Sequence, residues 1–159
     1  MKRQRPDWDS YFIKIAQTVA ERATCLRRRY GAVIVKDNVI LSTGYNGACR
    51  GEPNCDDVGF CRREALKVPK GQRYELCVAV HAEQNAIING DPEKMNGATI
   101  YVAGFNVADG SFAAGDPCML CRRMIKNARI LRVVCQNSDG SISSRAAEDM
   151  EEPSFEEVL

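Results

Sequence analysis

At 159 residues, with 45% hydrophobic and 27% charged side chains, the chain has the composition of one ordinary globular domain, long enough to bury a core. Its 22 Lys and Arg stand against 21 Asp and Glu, and a net charge of +1 argues against a surface built for nucleic-acid phosphates or an anionic membrane. No apolar run approaches the length of a membrane span, and Asp7 and Asp9 follow Lys2, Arg3 and Arg5 where a signal peptide would carry its apolar region, so we expect a cytosolic protein. Eight cysteines are then better explained by metal binding than by disulfides, which suit small secreted domains.

Asp7 is placed to cap a helix over residues 8–23, with Trp8, Tyr11, Phe12, Ile15 and Val19 forming its core-facing stripe. Cys25 and the run Arg27, Arg28, Arg29 follow, the arginines readable as solvated surface or as a phosphate contact. The apolar runs 32–35 and 39–41, separated by Lys36, Asp37 and Asn38, predict an antiparallel hairpin. It leads into Gly44-Tyr45-Asn46-Gly47, read as a tight loop where backbone can approach a ligand. Residues 48–77 form a polar, irregular insertion holding Cys49, Cys55, Cys61 and Cys77, too poor in apolar side chains to pack unaided.

A helix is expected over 81–89 with Ala82, Ala86 and Ile87 inward, then a strand over 99–103 and a small hairpin around a two-residue Asp109-Gly110 turn. Asp116-Pro117 opens a further helix with Met119, Leu120, Met124 and Ile125 facing inward, residues 130–135 read as a buried strand, and Asp139-Gly140 as a turn. The tail, about 146–159, carries six acidic residues from Glu148 onward and no basic one among them, as a surface segment would. The chain shows neither an internal repeat nor a dividing linker. The order of elements indicates a single-domain α/β sandwich whose mixed sheet combines an antiparallel hairpin with parallel crossover units.

The chemistry concentrates at His81-Ala82-Glu83 and Pro117-Cys118-Met119-Leu120-Cys121. One imidazole and two thiolates are three zinc ligands, and a catalytic zinc leaves a fourth position for water, whose pKa it can bring to about 7. Cys118 and Cys121 are three residues apart on one helix face, so both sulfurs can reach one ion. The helix N-termini expected at His81 and Cys118 favour thiolates and developing negative charge. A closed structural site would gain nothing from Glu83, whereas beside an activated water this carboxylate can move a proton to a ring nitrogen and a departing amine. Hydrolytic deamination of an amidine-like carbon is the chemistry indicated, against a zinc knuckle or redox pair for a lone Cys-x-x-Cys.

These two motifs resemble the zinc-dependent cytidine/deoxycytidylate deaminase superfamily. Cys25 ahead of Gly31-Ala32-Val33-Ile34-Val35, then Gly44-Tyr45-Asn46-Gly47 and His81-Ala82-Glu83-Gln84-Asn85-Ala86-Ile87, are similar to its deoxycytidylate (dCMP) deaminase branch, over residues 8–135. The resemblance implies a three-layer α/β/α fold, zinc held by His81, Cys118 and Cys121, and Glu83 as proton shuttle in converting dCMP to dUMP for thymidylate synthesis. It also implies that Asn46 meets the deoxyribose, that the backbone near Ala82 reads the base, that the protein is a homo-oligomer (dimer or hexamer), and, as in some members, regulation by dCTP and dTTP. Two features depart from that branch: Ala48-Cys49-Arg50 follow Gly47 where a small residue and proline are common, and the Asp109-Gly110 hairpin interrupts the run into Pro117-Cys118.

Some members of that branch carry a second, structural zinc in the insertion, and the resemblance implies Cys25 and Cys55 as two of its ligands, with Cys61 and Cys77 completing four thiolates. Cys49 competes for a place in that set, free buried thiols are the alternative reading, and Cys135 within an apolar strand reads as core. The readings that compete with dCMP are deaminases of cytidine, of a tRNA adenosine or of a guanine- or pterin-like base, and a non-catalytic zinc protein of nucleic-acid uptake. Near-neutral charge argues against the tRNA reading. Arg27, Arg28, Arg50 and Arg122 are the candidates to meet a 5′-phosphate.

Overall fold

In the computed structural model, which describes residues 1–152, the first helix α1 (Trp8–Ala20) starts where Asp7 accepts a hydrogen bond from the Ser10 backbone N–H at 2.9 Å. It ends three residues before the predicted boundary, and its buried stripe is Phe12, Ile13, Ala16 and Ala20. Trp8 (55% exposed) and Tyr11 are turned outward, contrary to the expected stripe. A periodic pattern that two rows of residues satisfy equally was resolved by packing: small Ala16 and Ala20 let the helix lie close to the sheet. A Cβ on Gly31 would stand 2.1 Å from the Ala16 carbonyl oxygen.

Strands β1 (Arg28–Lys36) and β2 (Val39–Tyr45) form the expected antiparallel hairpin, closed by Asp37 and Asn38 at φ of 51° and 61°. Both central residues being left-handed gives the turn a twist that matches the strands. The short β3 (Gly47–Ala48) follows, then the insertion, which holds α2 (Cys55–Val58), α3 (Arg62–Ala65) and a 3-10 turn, Tyr74–Leu76. Next come β4 (Ala79–Val80), α4 (Ala82–Asn89), β5 (Thr99–Asn106), β6 (Phe112–Ala113), α5 (Met119–Asn127), β7 (Arg132–Gln136) and β8 (Ile142–Ala146).

The main sheet runs β2-β1-β5-β7-β8, with β6 paired to the end of β5. Only β5 and β7, joined through α5, pair in parallel; β5 meets β1 antiparallel. The expected plural parallel units thus reduce to one pair, because β1 lies between β2 and β5. Alternation along β1 divides the core. Val33 and Val35 join Phe12, Ile13 and Ala16 under α1, while Ala32 and Ile34 join Ala82, Ala86 and Ile125 under α4 and α5. Helices on both faces of a mixed sheet make the α/β/α sandwich.

Three local expectations are corrected. Leu120 (45% exposed) faces outward and Cys121 takes the buried place beside Ile125, since α5 starts one residue later than Pro117 suggested, with Cys118 as its cap. The hairpin after β5 has four loop residues, 107–110, not a two-residue Asp-Gly turn, because Asn106 and Ser111 are the closing pair and only Gly110 is left-handed. The tail is not wholly a surface segment: Ala146 ends edge strand β8 (Ile142–Ala146), and Ala147 and Met150 enter the core. Its final part, 153–159, lies outside the described residues.

Gly44-Tyr45-Asn46-Gly47 is not a turn either. Gly44 meets helix α4, where a Cβ would fall 2.2 Å from the Ala86 nitrogen and 2.5 Å from the Ala82 oxygen. Backbone cannot yield as a side-chain tip can, so Gly44→Ala is expected to cost about 3 kcal/mol, read as a fall in the urea midpoint. An unchanged midpoint would mean that α4 is free to slide.

Candidate active site

Two short pairings bring the site together. β3 pairs with β4 through Gly47↔Val80 and Ala48↔Ala79, so the end of the hairpin is fixed beside His81, the cap of α4. On the other side Gly115 crosses the sheet, its N–H donating to the Gln136 carbonyl at 2.8 Å, and a Cβ there would lie 2.5 Å from the Val102 oxygen. That crossing leads through buried Pro117 to Cys118, so α5 begins at the carboxyl end of β7 and points its N-terminus toward that of α4.

His81 Nδ1 lies 3.4 Å from Cys118 Sγ and 3.3 Å from Cys121 Sγ. The His81 backbone N–H donates to Gln84 Oε1 at 2.9 Å, closing the first turn of the helix. The three ligand atoms lie within 4.8 Å of one another, and among the described residues no other set of three His, Cys, Asp or Glu side chains is gathered so tightly. The Cys121 thiol reaches Glu83 Oε2 at 3.5 Å. The hydrogen bond from Cys121, with help from His81, holds the Cys118 thiol down at about 4, while Cys121 is pushed up, first by that same neighbour. His81 is raised, chiefly by Cys118. Two sulfurs gathered beside an imidazole nitrogen suit a borderline-soft divalent ion of tetrahedral habit, and this donor set fits zinc.

Glu83 is 7% exposed, and burial raises its carboxyl pKa. It stands with His81, Ala82 and Cys118 in a cavity of about 330 Å³, within the range of small-ligand sites. Asn46 lines the same cavity, its side chain fixed by accepting from the Tyr30 N–H at 2.7 Å and donating to the Arg28 carbonyl at 3.0 Å.

Cys25, Cys61 and Cys77 also line this cavity, while Cys55 faces a separate apolar concavity with Cys49, Phe60 and Leu66. The Cys55 thiol is raised by burial and then by the charges of Cys25, Cys61 and Cys77, but no three of these four sulfurs are gathered within 4.8 Å of one another. Cys135 is buried in β7, and burial pushes its thiol up to about 12. Of the four arginines considered for a phosphate, Arg27 and Arg28 reach the cavity. Arg50 instead donates to Asn89, and Arg122 to Asp116 and to the Pro117 carbonyl. Sequence reasoning missed Arg63, Lys70 and Tyr74, which the insertion delivers to the cavity wall. Nothing in their spacing marked them, because only burial separates Arg63 from the exposed Arg62 beside it.

Residues 6–137 match the family described as the cytidine and deoxycytidylate deaminase zinc-binding region, and the chain belongs to that family. Within it, the chain is 42% identical over 134 residues to the deoxycytidylate deaminase of Mycobacterium phage D29, covering 82% of this chain and 94% of that one. It is 36% identical over 137 residues to the deoxycytidylate deaminase of Schizosaccharomyces pombe, covering 86% of this chain but only 39% of the longer yeast protein. The fold is similar to that of the cyanophage S-TIM5 dCMP deaminase, solved in complex with dCMP and dUMP, at a TM-score of 0.57 and 24% identity over 82% of each chain. Among the described residues no helix is long and apolar enough to cross a membrane.

Proposed function

We propose that this chain hydrolyses the exocyclic amine of dCMP, consuming one water and releasing ammonia and dUMP. The observation that carries the reading is a Glu83 carboxyl 3.5 Å from Cys121 Sγ, beside the His81–Cys118–Cys121 donor set, at the wall of a cavity sized for a nucleotide. Membership of the deaminase family and two relatives named deoxycytidylate deaminase support the choice of substrate.

His81 Nδ1 and the sulfurs of Cys118 and Cys121 would hold the zinc, whose Lewis acidity makes water a competent nucleophile near neutral pH. Glu83 then does the proton work. It takes a proton from the attacking water, gives it to the pyrimidine N3, and later carries a proton to the departing amine. Burial suits the carboxyl to that exchange, because a raised pKa lets it keep a proton between the two transfers. Asn46, its Oδ1 and one amide hydrogen already fixed to β1, meets the deoxyribose through the remaining N–H, and the backbone at Ala82 reads the base.

The test is ammonia release from dCMP, CMP, deoxycytidine and cytosine by zinc-loaded protein, with and without dCTP. The highest kcat/KM should be on dCMP. Turnover confined to a nucleoside or free base, or absent on all four, would overturn the reading.

We further propose a second, structural zinc held by Cys25, Cys55, Cys61 and Cys77, tying the insertion to the segment after α1. The electrostatic influence of Cys25, Cys61 and Cys77 on the Cys55 thiol supports it. Metal analysis should find about two zincs per chain, falling to about one in Cys55→Ser. A single zinc in the unaltered protein, with Cys55→Ser as stable, would remove this site. The family resemblance also supports a cytoplasmic, single-domain homo-oligomer, dimeric or hexameric, with dCTP and dTTP as effectors.

A further inference from the structure

The insertion places an arginine where no anion among the described residues meets it. Arg63 is 8% exposed, and its Nε is buried without a hydrogen-bond partner. Its Nη2 donates to the Gln72 carbonyl at 2.6 Å and the Pro69 carbonyl at 3.2 Å, which fixes the guanidinium without neutralising it. Among the described residues no carboxylate lies within ion-pair distance of it. By contrast, Arg27 pairs with Glu64 at 2.9 Å and Arg122 with Asp116 at 2.7 Å.

The position of this cation relates it to the deaminase site. The Arg63 guanidinium stacks 5.1 Å from the centre of the Tyr74 ring, and Tyr74 stands edge-on to His81 at 5.8 Å between ring centres. One aromatic ring therefore separates the cation from the imidazole, along the wall of the cavity that contains Glu83. Lys70 and Arg28 line the same cavity and add positive charge there. A buried, unpaired guanidinium is unfavourable until an anion meets it, and its planar fork matches phosphate oxygens.

We propose that Arg63 is the anchor for the 5′-monophosphate of the substrate, with Tyr74 holding the guanidinium in position. This rests on the proposed deamination of a cytosine nucleotide and names the residue that separates nucleotide from nucleoside. The insertion is on this account the arm that selects the phosphate, and the α4–α5 junction performs the chemistry.

The experiment compares kcat/KM for dCMP and deoxycytidine in zinc-loaded wild type, Arg63→Gln, Arg63→Lys and the neighbouring control Arg62→Gln. Losing one charge-assisted contact should reduce the dCMP-to-deoxycytidine ratio by about 30- to 100-fold in Arg63→Gln, through KM, and by less in Arg63→Lys. The ratio in Arg62→Gln should match wild type. An equal fall on both substrates, or an unchanged ratio, overturns the assignment. Titration calorimetry of the wild type with dUMP and with deoxyuridine tests the site independently of turnover and of variant folding. Tighter binding of dUMP supports the anchor, and equal binding overturns it. Absence of any deamination by a wild type that still prefers dUMP overturns the proposed function and leaves the phosphate site standing.

Discussion

Glu83→Gln is expected to lower kcat on dCMP by about 10³- to 10⁴-fold while leaving the fold and the zinc content intact. The substitution keeps the shape of the side chain and an oxygen that can still accept from Cys121, so the second residue of α4 stays packed where it is. What disappears is the ability to hold a proton. An amide cannot take one from water, and without it neither the pyrimidine N3 nor the amine is protonated as the C–N bond changes. Ammonia release, with zinc measured on the same sample, checks this. A Glu83→Gln protein that deaminates dCMP at the normal rate would remove Glu83 from the mechanism.

His81→Ala should abolish activity and reduce bound zinc by one per chain. This is the only histidine, and its Nδ1 lies within 3.4 Å of both sulfurs, so no other imidazole can replace it. Loss of the ring also leaves Cys118 and Cys121 facing each other with no positive partner, which weakens the ionised pair. His81→Cys distinguishes lost ligation from lost folding. A third thiolate at the cap of α4 is a workable zinc donor, so this variant should recover the metal that His81→Ala loses. Full zinc content in His81→Ala would show that the ion is held elsewhere.

Much of this site was legible before any coordinate, because its determinants are local. The two-residue spacing of His81 and Glu83 at the start of a helix sets cap and carboxylate on one end of one element. The spacing of Cys118 and Cys121 does the same for the opposing helix. The hairpin of β1 and β2 followed equally from two apolar runs around Asp37-Asn38. Other features had no local signature. β8 has a single large apolar residue, partly exposed Ile142, and exists because the unpaired edge of β7 offers it backbone partners. Trp8 and Leu120 read as core residues by periodicity, yet Ala16 and Cys121 take the buried places because the closest approach of helix to neighbour favours the smaller side chain. Gly44 read as part of a tight loop open to a ligand, and its real constraint is helix α4, met at Ala86, 42 positions further along the chain.

Taken alone, the chain pointed to the sandwich of helices on a mixed sheet, and it named His81, Cys118 and Cys121, which the fold gathers, with Glu83 beside them, since each depends on residue type and short-range spacing. Tertiary structure decided which residues share a cavity with that chemistry. Burial and the loss of neighbouring counter-charge are properties of the packed molecule. They distinguish Arg63 from Arg62, place Cys25, Cys61 and Cys77 on the wall of the cavity that His81 also lines, and close Arg122 onto Asp116. The His81-Ala82-Glu83 motif is readable from short-range spacing, whereas the insertion's place on the cavity wall is a product of the fold.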